Sequence, residues 1–200
     1  MKDNSMMINR LTAIFDALKM RAVGDISFQS NGTTLIQKVP AVAPHAWFYQ
    51  LYAGLSLLEI HALELELGCA IPESYAAFLS VSNGANLCSS HLAFYGVRKS
   101  FDRSLDAPRL PFSILTPNLM ERPRELPETK FIVGGYFWDK ARITVDSKTS
   151  AVECWTPDGM ESRTTWPSLD VMVASEIKRL ETHFDGDGKW IRYGTSTLPY

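Results

Sequence analysis

The stretch from Ser56 to Gly84 contains two helix starts and two helix stops in close succession. Ser56 and Glu59 form a capping-box pattern, in which each side chain satisfies a backbone N–H that has no intrahelical partner. Gly68 tolerates the left-handed conformation that ends a helix, and Pro72 suits the first position of a second helix. The chain is therefore predicted to fold around two consecutive helices.

Apolar spacing predicts which face each of these helices buries, because residues three and four positions apart lie on one side of a helix. The stripe predicted for the first helix consists of Leu57, Ile60, Leu63 and Leu67. In the second helix, Tyr75, Phe78 and Leu79 share a face. The Asn83-Gly84 pair that follows tolerates positive φ and predicts a sharp turn. We expect Ile71 and Phe78 to be buried.

These residues resemble the signature of the SUKH superfamily, which includes fungal Smi/Knr cell-wall regulators and bacterial toxin-immunity proteins. The resemblance is carried by Glu64 and by the structural motif residues Leu67, Gly68, Ile71, Pro72, Tyr75, Phe78, Leu79, Asn83 and Gly84. It implies a SUKH-like core over residues 51–185. From their own patterns we expect residues 1–50 to be a helix and hairpin extension of the same domain, and the glycine-containing residues 186–200 to be a loose C-terminal tail. The motif residues are apolar or turn-forming, so the resemblance implies no catalytic group.

The second half of the chain alternates apolar and polar residues in a way that predicts consecutive antiparallel strands. The predicted strands cover residues 91–97, 130–137, 141–146, 151–156 and 160–165. Pro167-Ser168 then opens a helix with one apolar face, made of Leu169, Val173, Ile177, Leu180 and Phe184. The predicted fold is a single α+β domain with a mostly antiparallel sheet and helices packed around it.

Three further segments have distinct patterns. Residues 6–21 repeat apolar positions at helical spacing, and Asn31-Gly32 predicts a short hairpin. The aromatic-rich segment from Ala46 to Leu55 is predicted to be a short helix packed beneath the main pair. Five prolines between Arg98 and Lys130 predict a long surface connection with little regular structure.

Composition excludes several classes of protein. The 200 residues are 46% hydrophobic and 21% charged, which fits one globular domain with a full core. No apolar run is long enough to predict a membrane span, and the N-terminal residues do not resemble a secretory signal. Cys69, Cys88 and Cys154 are widely spaced and suit a reducing compartment. We expect a cytoplasmic protein that does not bind a membrane.

The candidate metal-binding and catalytic residues form no recognisable pattern. The four histidines are scattered, no Cys/His spacing matches a zinc site, and the 185–188 segment lacks the later ligands of a calcium loop. The sequence does not exclude a catalytic Cys–His pair, because the two residues of such a pair are brought together by the fold and need not be close in sequence. We nevertheless expect Cys154 to be a buried strand residue. The prediction is no metal, no cofactor and no enzymatic activity.

The charges are unevenly distributed along the chain. Between Lys38 and Arg98 there are four glutamates and no other charged residue, so this stretch carries −4, whereas the rest of the chain carries +2. These glutamates are Glu59, Glu64, Glu66 and Glu73. One interpretation is a solvated helix face. The other is an acidic patch that attracts a basic protein, with Trp138 as an aromatic anchor beside Asp139.

The functional hypothesis combines this charge pattern with the resemblance. A pI of about 6.1 and the lack of a basic stripe argue against direct binding of nucleic acid. The resemblance implies a non-enzymatic immunity protein that binds a nuclease- or deaminase-type toxin domain and blocks its active site. The alternative is a SUKH-type adaptor or regulatory scaffold that binds a cellular protein.

Overall fold

The computed structural model describes residues 2–22, 25–100, 102, 109–192 and 194–200. In this part of the chain the α-helices are α1 (Lys2–Arg21), α2 (Leu57–Leu67), α3 (Glu73–Val81) and α4 (Leu169–Glu181). A π-helical turn spans Thr116–Met120. The strands are β1 (Ile26–Phe28), β2 (Thr34–Lys38), β3 (Trp47–Ala53), β4 (Ser82–Leu87), β5 (Leu92–Phe94), β6 (Lys130–Tyr136), β7 (Ala141–Asp146), β8 (Val152–Trp155) and β9 (Ser162–Trp166).

Every strand pairs antiparallel with its neighbours in sequence, so the sheet runs in the order β1 to β9. Two long insertions interrupt this meander. Helices α2 and α3 lie between β3 and β4, and the proline-rich connection lies between β5 and β6. The predicted α+β fold with an antiparallel sheet is confirmed.

The main core packs helices α1, α3 and α4 against the sheet. Phe78 of α3 is fully buried, and its ring contacts the rings of Phe15, Tyr75 and Phe94. It therefore joins α1, α3 and β5 at one point. The predicted burial of Ile71 and Phe78 is confirmed.

The predictions for the N-terminal region are confirmed in outline. Helix α1 begins before residue 6, and the hairpin forms between β1 and β2. The side-chain oxygen of Asn31 accepts a hydrogen bond from the Thr33 N–H at 3.1 Å, and Gly32 has φ of +81°. The turn thus uses the conformational freedom that the Asn-Gly pair provides.

The aromatic-rich segment is strand β3, so the prediction of a helix there is wrong. Its residues from Phe48 to Tyr52 are all buried, which means that both faces of the strand are covered. A strand covered on both faces shows no alternation of apolar and polar residues, so periodicity does not distinguish it from a buried helix. Its aromatic side chains favour the extended conformation.

Asn83 and Gly84 lie inside strand β4, so the prediction of a turn after α3 is also wrong. The Asn83 amide donates to the Val97 carbonyl at 3.0 Å and accepts from the Val97 N–H at 2.6 Å. Gly84 has φ of +83°, and a Cβ there would lie 2.7 Å from the Phe94 carbonyl oxygen. The pair therefore serves close packing between the β4 and β5 segments.

The proline-rich connection is attached to the N-terminal hairpin where the structure describes it. The carbonyl of Arg109 accepts hydrogen bonds from Asn31 and Thr33, and its guanidinium donates to the His45 carbonyl. Residues 101 and 103–108 of this connection lie outside the described residues.

The C-terminal tail, expected to be loose, makes specific contacts with the domain. The Asp139 carboxylate accepts hydrogen bonds from Ser196 and Thr197, and the Arg179 guanidinium donates to the Thr197 carbonyl. The ring of Trp190 stacks on His91 with a centroid distance of 4.9 Å. These contacts tie the tail to α4 and to the β6–β7 turn.

We predict that Phe78→Ala lowers the free energy of unfolding by about 3–5 kcal/mol, because it leaves a cavity between α1, α3 and the sheet. Chemical denaturation measures this loss. Phe28→Ala is the matched control, since Phe28 is 74% exposed on β1 and its removal leaves no cavity. Equal unfolding midpoints for the two variants would show that Phe78 is not at the centre of the core.

Candidate partner-binding surfaces

The capping box that begins α2 forms as predicted. The Ser56 hydroxyl accepts from the Glu59 N–H at 3.3 Å, and the Glu59 carboxylate accepts from the Ser56 N–H at 2.9 Å. Gly68 ends the helix with φ of +69°. These local interactions fix the position of α2, whose inner residues Ile60, Leu63 and Leu67 are buried.

Two of the four predicted acidic residues are engaged in structural contacts. Besides its role in the capping box, Glu59 pairs with Lys99 at 2.6 Å, and these hydrogen bonds lower the pKa of the Glu59 carboxyl to about 2. The Glu64 carboxylate accepts from the Ile71 N–H at 3.0 Å and lies 3.6 Å from His61. It therefore holds the connection between α2 and α3.

The other two acidic residues face solvent. Glu66, near the end of α2, and Glu73, at the start of α3, are exposed. Neither has an ion-pair partner in the part of the chain that the structure describes. Both carboxylates are therefore accessible to a partner.

Helix α2 also exposes a set of apolar side chains that the sequence did not lead us to expect. Leu57 and Leu58 are each 82% exposed and Leu65 is 72% exposed, so Leu57 does not belong to the buried stripe. His61 and Ala62 lie between them and are exposed as well. We call these residues the outer leucine face: Leu57, Leu58, His61, Ala62 and Leu65.

The predicted aromatic anchor has the accessibility that an anchor needs. Trp138 is 64% exposed at the β6–β7 turn, and its ring meets the half-exposed ring of Phe137 edge to face at 5.3 Å. The neighbouring Asp139 is bonded to the C-terminal tail instead. Trp138 is thus available for a contact, whereas Asp139 stabilises the fold.

The structure does not bring the acidic residues and Trp138 together. Strand β5 runs between them: Leu92 at its start pairs with Tyr136 just before the Trp138 turn, and Lys99 beyond its end pairs with Glu59. The two sets therefore lie toward opposite ends of the strands and form two separate surfaces.

Residues 54–175 match the SMI1/KNR4 family (SUKH-1), and this span is more than half of the chain. The chain belongs to the SMI1/KNR4 (SUKH-1) family. No curated protein matches the sequence.

In this SUKH-1 domain, two of the three thiols are buried in the core. Burial raises the pKa of the Cys154 thiol to about 12 and raises that of Cys88 as well, which suppresses the reactive thiolate. Among the described residues no group of histidine, cysteine, aspartate and glutamate side chains is arranged to hold a metal ion. In the same residues no helix is long and apolar enough to cross a membrane.

The sequence contains a spacing pattern for the outer leucine face, in addition to the pattern that predicts the buried stripe of α2. Leu58, Ala62 and Leu65 follow the spacing i, i+4, i+7, which places them on one side of α2. Ile60, Leu63 and Leu67 form a second apolar stripe on the opposite side of the helix. Because the core covers only one side of α2, one of the two stripes has to face solvent. Leaving each leucine exposed forgoes roughly 1.5–3 kcal/mol of burial free energy. Apolar surface concentrated in this way is typical of an interaction site.

We predict that the Glu59 carboxyl titrates near pH 2 in the native protein, well below its ordinary pKa of 4.5. The ionised form is stabilised by Lys99 and Ser56, so this stabilisation is present above the unfolded pKa and is lost as the pH falls through the native one. NMR titration of the side-chain carboxyl carbon measures the value.

Lys99→Gln is expected to raise the Glu59 pKa toward its ordinary value, and Lys189→Gln, in the C-terminal region, is the control. An ordinary Glu59 pKa in the wild-type protein would contradict the pairing and leave this carboxylate free for a partner.

Proposed function

We propose that this SUKH-1 protein is a non-enzymatic immunity protein that binds a nuclease- or deaminase-type toxin domain and blocks its active site. The observation that carries the proposal is the family match over residues 54–175, since the family is known for immunity and binding roles in toxin systems. Fold alone does not determine function, so the described side chains supply the further support.

The motif residues are engaged in maintaining the fold. The Tyr75 hydroxyl donates to the carbonyls of Tyr95 and Val133, and the Asn83 amide brackets the Val97 peptide group. Gly68 closes α2, and Glu64 holds the following connection. Because the shared residues are used in this way, the residues that select a partner are expected on the exposed surface.

The charge of that surface favours a basic partner. The stretch between Lys38 and Arg98 carries −4, and within it Glu66 and Glu73 keep accessible carboxylates. Enzymes that act on nucleic acid are commonly basic, because they neutralise phosphate charge. Complementary fields accelerate the encounter of such a pair and disfavour wrong partners.

The test first looks for a gene beside this one that encodes a large secreted protein, and the C-terminal domain of that protein is the probe. Co-expression of the chain is expected to restore growth of cells that produce this domain, and the purified proteins are expected to form a stoichiometric inactive complex. An unrelated toxin domain is the control. A chain that neither binds nor protects would overturn the proposal, and stable binding to a resident cellular protein instead would establish the adaptor role.

We predict that the double variant Glu66→Lys/Glu73→Lys associates with the toxin domain more slowly than wild type, and that its association rate depends less on salt. Both effects follow from the loss of electrostatic steering. Stopped-flow or surface-based kinetics at low and high ionic strength measure them.

The control is Glu161→Lys/Asp187→Lys, which makes the same change in charge at exposed positions outside α2 and α3: Asp187 is in the C-terminal tail, and Glu161 pairs with Arg163 between β8 and β9. Equal association rates for the two double variants at low salt, with both proteins folded, would place the interface elsewhere.

A further inference from the structure

The outer leucine face is a mainly apolar strip on the solvent side of α2, with the polar His61 near its middle. Leu58 and Leu65 are two helical turns apart, a distance of about 10 Å, with His61 and Ala62 between them. Ala62 is small, whereas the His61 side chain beside it is 69% exposed and is the polar group of the face. A partner that covers this face therefore contacts leucine side chains on either side of one imidazole.

The ionisable residues of helix α2 are three glutamates and one histidine, and a cation lies near each end of the helix. Helix α2 contains three glutamates and neither lysine nor arginine. Lys99, which lies beside the start of the helix, is paired with Glu59. Glu66 directly follows Leu65 and has no ion-pair partner among the described residues. Arg122 lies close to Cys69, just beyond the end of the helix, and donates to the carbonyls of Lys130 and Pro127. The unpaired Glu66 therefore places one negative charge at the edge of the strip.

This charge distribution decides between the possible occupants. A second copy of the chain docked through the same face would bring one acidic helix against another, and like charges in contact oppose association. A partner that presents lysine or arginine around apolar side chains would pair its cations with the carboxylate at the rim and bury its apolar side chains against the leucines. The surface thus fits a basic partner better than it fits itself.

We propose that the outer leucine face is the docking surface for the toxin domain, and that the matching surface of that domain is apolar at its centre and basic at its rim. This assignment rests on the proposed function, and it specifies the surface through which the protein would bind the toxin domain. Leu58 and Leu65 hold the partner in place after it arrives, and Glu66 accelerates its arrival.

The test compares Leu58→Gln/Leu65→Gln with wild type in binding to the toxin domain identified by the co-expression test above. Glutamine has a helix propensity close to that of leucine, so the exposed substitutions are expected to leave the melting temperature unchanged. We expect at least about 30-fold weaker binding, equivalent to about 2 kcal/mol, mainly through faster dissociation. Met20→Gln is the matched control, because Met20 is 76% exposed on the helix α1.

The outcomes separate the two proposals. If the wild type binds and the affinity of the double leucine variant is within a factor of two of it, the proposed docking surface is wrong, but the immunity function is not contradicted. Failure of the wild type to bind any such domain overturns the immunity function, and the docking assignment with it. Concentration-dependent dimers in sedimentation that Leu58→Gln/Leu65→Gln abolishes identify a second copy as the occupant and overturn the basic partner.

Cys69 provides an independent readout because it is the exposed cysteine beside α2, whereas Cys88 and Cys154 are buried. An environment-sensitive fluorophore attached to Cys69 is expected to change its emission when the wild-type protein binds the toxin domain. No change in emission at saturating toxin would place the bound partner away from α2 and contradict the assignment.

Discussion

Tyr75 links the helical layer to the sheet at the centre of the domain. Its fully buried hydroxyl shares its one proton between the carbonyls of Tyr95 and Val133, while its ring stacks on Phe78 at 5.4 Å. The Val133 carbonyl also accepts from the Tyr95 N–H, at the point where the β5–β6 pairing ends and the β6–β7 register shifts. The Tyr75 side chain thus pairs with buried backbone carbonyls of the β5 and β6 segments and fixes α3 against these strands.

The position of α2 follows from this anchor. Because α3 is fixed by Tyr75 and Phe78, the Glu64 hydrogen bond to the Ile71 N–H sets the angle at which α2 leaves it. The inner stripe of α2 is then buried, and the outer leucine face is held toward solvent on a rigid element. A rigid apolar surface loses little conformational entropy on binding, which is the physical advantage of placing a contact on a capped helix.

The sequence predicts elements whose patterns are local. The capping box, the Asn31-Gly32 hairpin, the alternating strands β7 and β8 and the apolar face of α4 each have a signal within a few residues, and all are confirmed. Strand β3 was not predicted, because burial on both faces removes the alternation. Asn83 and Gly84 have turn chemistry, but their partners are Val97 and Phe94, which only the folded chain brings near.

In the candidate surface, too, some features can be predicted from the local sequence, whereas others depend on contacts that only the fold creates. The acidic character of the α2–α3 region is readable from composition, but the ion pair between Glu59 and Lys99 joins residues far apart in sequence. Only this pairing shows that Glu66 and Glu73, and not Glu59, are the accessible carboxylates. The separation of Trp138 from the acidic residues likewise follows from the direction of β5 and not from any local pattern.

The proposed docking surface places the partner on α2 and not on the β6–β7 turn. Amide hydrogen exchange of the full chain, free and saturated with the toxin domain, tests this most directly because it reports every segment in one experiment. If the partner docks on the outer leucine face, we expect slower exchange in residues 57–67 on binding and unchanged exchange in residues 136–140. Protection confined to the β6–β7 turn, with α2 exchanging as in the free protein, would contradict it.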